Sequence, residues 1–217
     1  MSLRSSIRTL FTLGKGVVRG LPEAAENRDP IELFAEWFDN ASESGLLLPE
    51  SVALATATPD GVPSVRMVLL KGLDERGLVF YTNYGSRKAR EIESNPRASL
   101  CFHWPVLERQ VRVEGTVERV SEEESSRYFA TRPRGSRLGA WASRQSERIP
   151  PGTDLRREVR RIDQAYPGNE VPLPPFWGGY LLRPTRIEFW QGKADRLHER
   201  LVFERRSGPW ETHRLYP

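Results

Sequence analysis

Four side chains with chemistry to offer crowd one short stretch of this chain. Trp190, Arg196, His198 and Arg200 all fall within IEFWQGKADRLHERL, residues 187–201. Arginine presents a planar fork of donors that fits phosphate or carboxylate. Tryptophan adds a flat face and one N–H, and histidine titrates near neutral pH. The set suits an anionic, planar, redox-active ligand. A strand, a turn and a solvated basic segment would carry the same residues, so the stretch needs support from elsewhere.

Other clusters are candidates for the same chemistry. Arg66 and Lys71 stand at either end of RMVLLK. At strand rise they lie roughly 16 Å apart, the span of an extended mononucleotide. A regular strand sends them to opposite faces, so one ligand could use both only at a bulge or a strand end. Ser86-Arg87-Lys88 opens a predicted helix, where free N–H groups, a hydroxyl and two cations would suit a phosphate. Gln110 begins an alternating strand and could read a polar ring edge. Tyr128, Arg132 and Ser136 follow at intervals of four, the first two on one helix face. Each cluster also has an ordinary structural explanation: surface cations, a capped helix, a polar strand end, a helix C-terminus. Gln145-Ser146 carries no pattern by itself. His103, His198, His213 and Cys101 lack metal-ligand spacing, and no phosphate-loop or nucleophile-elbow motif is present.

A scaffold must bring such clusters together. The 217 residues are 29% charged and 38% hydrophobic, which fits one large domain or two small ones. A formal charge of +4 suits a small anion and is too weak and dispersed to point to nucleic acid. Cys101 is the only cysteine, which rules out an internal disulfide and fits a reducing compartment. No apolar run reaches the roughly 18 residues of a membrane helix. The basic N-terminus, interrupted by Lys15, does not read as a secretory signal. A cytoplasmic protein is expected, with a flexible arm over 1–28 and one domain over 29–217.

Asp29-Pro30 opens a helix with Leu33, Phe34, Trp37, Phe38 and Ala41 as its buried stripe. From residue 51 the period becomes that of strands. SVALATAT, a Pro59-Asp60-Gly61 turn, PSVRMVLLK, a turn over 74–77 and LVFYT read as antiparallel hairpins. Ser86 caps SRKAREIES, which Asn95-Pro96 ends. RASLCFHW and QVRVEGTVERV come next, the second with Val111, Val113 and Val117 on one face. Ser121 to Glu124 is a capping box for a helix to about Thr131; Pro133 breaks it. Helices are expected over 136–142 and 152–166. A Pro-rich connector leads to as many as four strands: GYLLRP, RIEFWQ, RLVFERR and WETHRL. The fold class is mainly β with peripheral helices (α+β): a barrel-like antiparallel sheet with helices around it.

Seven segments in order, RMVLLK, FYTNYGSRKAREIESNP, ERQVRVEG, YFATRPRGSRLGAWASRQS, PPFWGGY, IEFWQGKADRLHERL and the closing RLYP, resemble the pyridoxamine 5′-phosphate oxidase family over about residues 29–217. The resemblance implies an FMN-binding split β-barrel, antiparallel and Greek-key-like, working as a homodimer with FMN at the interface. It implies oxidation of pyridoxamine or pyridoxine 5′-phosphate to pyridoxal 5′-phosphate, with O2 as acceptor and H2O2 released. It assigns FMN contacts to Arg66, Met67, Val68, Leu69, Leu70, Lys71, Tyr81, Thr82, Arg87, Lys88, Gln110, Gln145, Ser146, Trp190 and Arg200. It assigns substrate contacts to Lys71, Tyr128, Arg132, Ser136, Arg196 and His198. Arg196 and His198 would cover the pyridine ring and hold its C4′ against flavin N5, as the catalytic pair.

Two other functions fit parts of this pattern. The related flavin oxidase of phenazine biosynthesis acts on substrates without a phosphate ester, and would not need the Lys71, Tyr128, Arg132 and Ser136 cradle. A non-catalytic FMN- or pyridoxal-phosphate-binding protein would not need the full substrate set. The chain departs from the family in its arm, where an arginine is often followed three residues on by tyrosine; here Arg8 is followed by Phe11.

Overall fold

A computed structural model describes residues 20–22 and 24–217. Arg8, Phe11 and most of the expected arm lie outside the described residues. Within them, eight strands form one antiparallel sheet: β1 (Ser51–Ala57), β2 (Pro63–Asp74), β3 (Gly77–Asn83), β4 (Arg97–Trp104), β5 (Arg109–Arg119), β6 (Trp177–Gln191), β7 (Glu199–Glu204) and β8 (Glu211–Arg214). Their order is β3-β2-β1-β4-β5-β6-β7-β8, and a further β3–β6 pairing closes the first six into a barrel. The fold is the split barrel with peripheral helices that the sequence led us to expect.

Alternation fills the barrel. Val52 and Leu54 of β1, Phe102 of β4, Val111 and Val113 of β5 and Phe189 of β6 are all buried. Helix α1 (Pro30–Glu43) packs its buried face into the same core. The Asp29 side chain accepts from the N–H groups of Ile31 and Glu32, satisfying donors that the first turn leaves free. On its buried face Phe34 meets Phe102 at 5.0 Å and Trp37 meets Phe189 at 5.2 Å between ring centres. Burial of each such side chain contributes roughly 1.5–3 kcal/mol. Packing begins before Asp29: Ala25 is buried, and the Leu21 N–H donates to Glu199 Oε2.

Four shorter α-helices follow: α2 (Arg87–Ser94), α3 (Glu122–Thr131), α4 (Arg134–Ala142) and α5 (Leu155–Ala165). Helix α3 starts on the expected box, with Ser121 accepting from the Glu124 N–H. Helix α4 starts two residues earlier than expected, because the Pro133 carbonyl accepts from Ser136 and Arg137. Helix α5 starts later, where Asp154 caps it. Ser86 sits at the N-cap position of α2 but makes no side-chain cap bond. None of these helices is long and apolar enough to cross a membrane.

Two irregularities interrupt the sheet. GYLLRP and RIEFWQ, expected as separate strands, are one strand, β6. Pro184 is tolerated there because the β5–β6 register shifts at that point, pairing Glu114 with Arg186 and Gly115 with Pro184. Gly115 is required by the same approach, since a Cβ would stand 1.9 Å from the Arg183 carbonyl oxygen. Gly115→Ala is therefore expected to destabilise the fold by about 2 kcal/mol, read as a lower urea midpoint with an unchanged slope. The second irregularity lies in β2, whose pairing with β3 slips between Leu70 and Gly72 and leaves Lys71 as the extra residue.

Candidate active site

Arg66 lies before that slip in β2 and Lys71 at it. Both line a cleft of about 830 Å³ bounded by β2, the end of β3, the start of α2, α3, α4 and the segment after it. The volume falls within the range of small-molecule and cofactor sites. Met67, Val68 and Leu69 line the same wall, and Thr82, Arg87, Lys88, Gln145 and Ser146 line the remainder of one end. Leu70 is the exception on this strand: its side chain is buried in the barrel core.

The cationic end is built by local geometry. Lys88 is 7% exposed and donates to Thr82 Oγ1 at 3.1 Å, Ser86 Oγ at 3.2 Å and Gln145 Oε1 at 3.3 Å. The Ser86 hydroxyl thus serves the lysine instead of the helix end. Burial, helped by the nearby Arg66 guanidinium, brings the Lys88 ammonium down to about 8. The Arg87 N–H at the start of α2 donates to Ser146 Oγ at 3.2 Å, which ties the 145–146 segment to the helix. Glu91, one turn further on, accepts from Ser64, Thr56, Arg87 and Arg66. Burial opposes its ionisation, but these bonds outweigh it and hold the carboxyl at about 2.

The other end is aromatic. Tyr81 and Tyr128 stack at 3.9 Å, and Trp177 lies 5.5 Å from Tyr81 in a nearly parallel plane. Burial pushes the Tyr81 phenol up to about 12, so it stays neutral at physiological pH. The Arg132 guanidinium lies 4.6 Å from the Trp177 ring centre, and its NH1 is buried with no hydrogen-bond partner among the described residues. Ser136, in the first turns of α4, completes this end with Tyr128 and Arg132.

The remaining candidates sit elsewhere. Gln110, Trp190 and Arg200 are directly paired across β5, β6 and β7. The His198 ring lies 4.6 Å from Trp190, and its Nδ1 accepts from the Lys193 N–H at 3.2 Å. In the neutral ring Nε2 then carries the proton. Arg196 follows Asp195 in a tight turn, both in the left-handed region with φ of 61° and 56°. Arg200 Nε donates to Glu188 at 2.9 Å. None of Gln110, Trp190, Arg196, His198 and Arg200 lines the cleft. Trp190 stands thirteen residues along β6 from Trp177, roughly 40 Å of strand. One chain therefore brings the candidates together as two groups on different parts of the barrel.

Residue-by-residue reading missed several members, among them Trp177, Glu91 and Glu188. Trp177 lines the cleft; Glu91 and Glu188 anchor the arginines of the two groups. The i, i+4 spacing of Arg87 and Glu91 was the one available signal for a pair. A second groove of about 900 Å³ runs between 143–154 and α5. Three of its arginines are taken by acids: Arg144 by Glu147, Arg160 by Asp154 and Arg161 by Glu158. Among the described residues no cluster of histidine, cysteine or acids could hold a metal ion.

Known proteins share both the sequence and the fold. Residues 38–166 match the family described as Pyridoxamine 5′-phosphate oxidase. Residues 177–217 match the Pyridoxine 5′-phosphate oxidase C-terminal dimerisation region. A pyridoxine/pyridoxamine 5′-phosphate oxidase of Rubrobacter xylanophilus is 60% identical over 198 residues, 91% of each chain. One from Psychromonas ingrahamii is 51% identical over the full length of both. Among solved structures, PhzG from Burkholderia lata 383, in complex with tetrahydrophenazine-1-carboxylic acid, superposes with a TM-score of 0.87 at 32% identity, covering 93% of this chain and all of that one. An FMN-binding protein of Nostoc punctiforme shares the fold with a TM-score of 0.72 at 19% identity, covering 88% of this chain and 99% of that one.

Proposed function

The chain belongs to the pyridoxamine 5′-phosphate oxidase family, and from that premise we propose that it oxidises pyridoxamine and pyridoxine 5′-phosphate to pyridoxal 5′-phosphate, with FMN as cofactor, O2 as electron acceptor and H2O2 as product. The observation that carries the substrate assignment is Arg132: a buried guanidinium nitrogen with no partner among the described residues, at the opposite end of a cleft that already has a cationic cluster. Two phosphate esters, one on the cofactor and one on the substrate, need two cradles.

FMN fits these residues. Arg66, Arg87, Lys88, Gln145 and Ser146 would hold its phosphate end, with Met67, Val68, Leu69, Leu70, Lys71, Tyr81 and Thr82 along its length, Leu70 through its main chain. When bound it supplies a two-electron acceptor. Tyr128, Arg132, Ser136 and Lys71 would hold the substrate phosphate. Gln110, Trp190, Arg196, His198 and Arg200 would come from a second copy of the chain, making the enzyme a homodimer with each FMN at the interface. The separation of the two groups along β6 supports that arrangement. Arg196 and His198 would then cover the pyridine ring and hold C4′ in place. A cytoplasmic location belongs to the same proposal.

The test is anaerobic mixing of FMN-loaded protein with pyridoxamine 5′-phosphate while the flavin absorbance is followed. Bleaching that air reverses, with pyridoxal 5′-phosphate formed, is expected. A flavin that stays oxidised with both B6 phosphates would overturn the substrate. Reduction by reduced phenazine precursors would then favour the reaction class suggested by the likeness to PhzG.

The Lys88 environment adds a pH dependence. Its ammonium form is the one that attracts phosphate, and it loses its proton near 8 in the folded protein. A bound phosphate raises that value, so binding takes up a proton above pH 8. FMN affinity is expected to fall about tenfold between pH 7 and 9. Fluorescence titration checks this, and a flat profile would assign phosphate binding to the arginines alone.

A further inference from the structure

We infer that Glu91 is a positioning residue that sets the geometry of the phosphate end of the cleft, and with it the preference for a phosphorylated flavin over the same flavin without phosphate. This rests on the proposed FMN site. Glu91 does not line the cleft, yet three elements converge on its carboxylate. Oε2 accepts from Thr56 of β1, from Ser64 Oγ of β2 at 2.5 Å and from Arg66 NH2 at 3.3 Å. Oε1 accepts from Arg87 Nε at 2.8 Å.

The choice of atoms gives the carboxylate its role. Arg87 is gripped by Nε alone, and its two terminal nitrogens have no partner among the described residues. They remain as a fork at the cleft wall, the shape that binds a phosphate through two parallel bonds. Arg66 is held from both sides, its NH1 on Thr56 Oγ1 and the Leu54 carbonyl and its NH2 on Ser64 and Glu91. Without the carboxylate, Arg66, Arg87 and Lys88 would be three neighbouring cations with no anion to hold them. Arg66 already acts against the charge on Lys88. Glu91 thus keeps the cradle assembled before a phosphate arrives, and reduces the ordering that binding would otherwise require.

Removing the charge while keeping the shape tests this. Apoprotein of the wild type and of Glu91→Gln is titrated with FMN and with riboflavin, following flavin fluorescence. The expected result is FMN affinity about tenfold or more lower in Glu91→Gln, with riboflavin affinity unchanged. Equal weakening of both flavins would reduce Glu91 to a packing role. Unchanged or tighter FMN binding would overturn the inference outright. Arg87→Lys reads the same bond from its other partner, keeping the charge and losing Nε. Because the Arg87 guanidinium is one of the two that Glu91 holds, the double variant should lose less than the sum of the two single variants; full additivity would count against the inference. If Glu91→Gln does not fold, Arg87→Lys alone must lower FMN affinity and spare riboflavin. Wild-type protein that binds neither flavin would remove the FMN site itself, and is distinguishable from a variant that leaves the preference intact.

Discussion

Arg132→Ala is expected to raise the KM for pyridoxamine 5′-phosphate about a hundredfold while kcat changes far less. The guanidinium carbon lies 4.6 Å from the Trp177 ring centre and 5.5 Å from that of Phe129. NH1 has no partner among the described residues, so a bound anion would compensate its desolvation. A charge-assisted bond contributes about 1.5–3 kcal/mol, and two such bonds correspond to about two decades in affinity or more. In the proposed reaction the substrate phosphate takes no part in the bond changes at C4′, so losing its contact weakens ground state and transition state alike. Steady-state kinetics check the split, with FMN affinity as the control that should not move. A KM within twofold of wild type would place the substrate phosphate elsewhere.

Glu188→Ala is expected to destabilise the protein by about 3 kcal/mol at neutral pH. Glu188 is 1% exposed and receives Arg112, Arg186 and Arg200 from β5, β6 and β7. Taking one partner out of a buried ion cluster leaves charges without compensation, typically at about 3–5 kcal/mol. The arginines are partly solvated, which puts the figure at the lower end. Burial raises the carboxyl pKa, but the bonds from Arg112, Arg186 and Arg200 outweigh it and the value is lowered overall. A carboxylate lowered in the folded state stabilises fully above its unfolded value, and that contribution is lost as pH falls through the folded one. Urea unfolding at pH 7 and at pH 3 should therefore show a gap between wild type and variant that narrows in acid. An equal gap at both would mean that packing, not charge, holds the three strands. Arg200 also loses its orientation in this variant, so FMN binding should weaken with it.

What could be read from the chain, and what could not, divides along sequence distance. Helix α1 with its Asp29 cap, strand β4 over Arg97–Trp104 and the Ser121 box depend on neighbours a few residues apart, and local rules reach them. The bulge at Lys71 is hidden by the apolar run around it and exists only because β3 slips against β2. Pro184 signals a strand end by local chemistry, but the register shift opposite Gly115 removes the need for its N–H. Glu91 and Glu188 look like ordinary solvated acids in sequence. Their burial depends on partners as far apart as Arg112 and Glu188, 76 positions away. The two-group arrangement of the candidate site has the same origin: motif order names the residues, while barrel closure decides which of them share a wall.

Strand β6 carries a consequence for how such chains can change over generations. It pairs with β3, β5 and β7, starts at Trp177 in the cleft wall and reaches Trp190 beside His198. One residue gained or lost on either side of Pro184 would turn every side chain beyond it to the opposite face. Trp177 and Trp190 would no longer keep their present orientations together. The strand works as a measured ruler between the two halves of the site, so descent can revise its letters far more freely than its length.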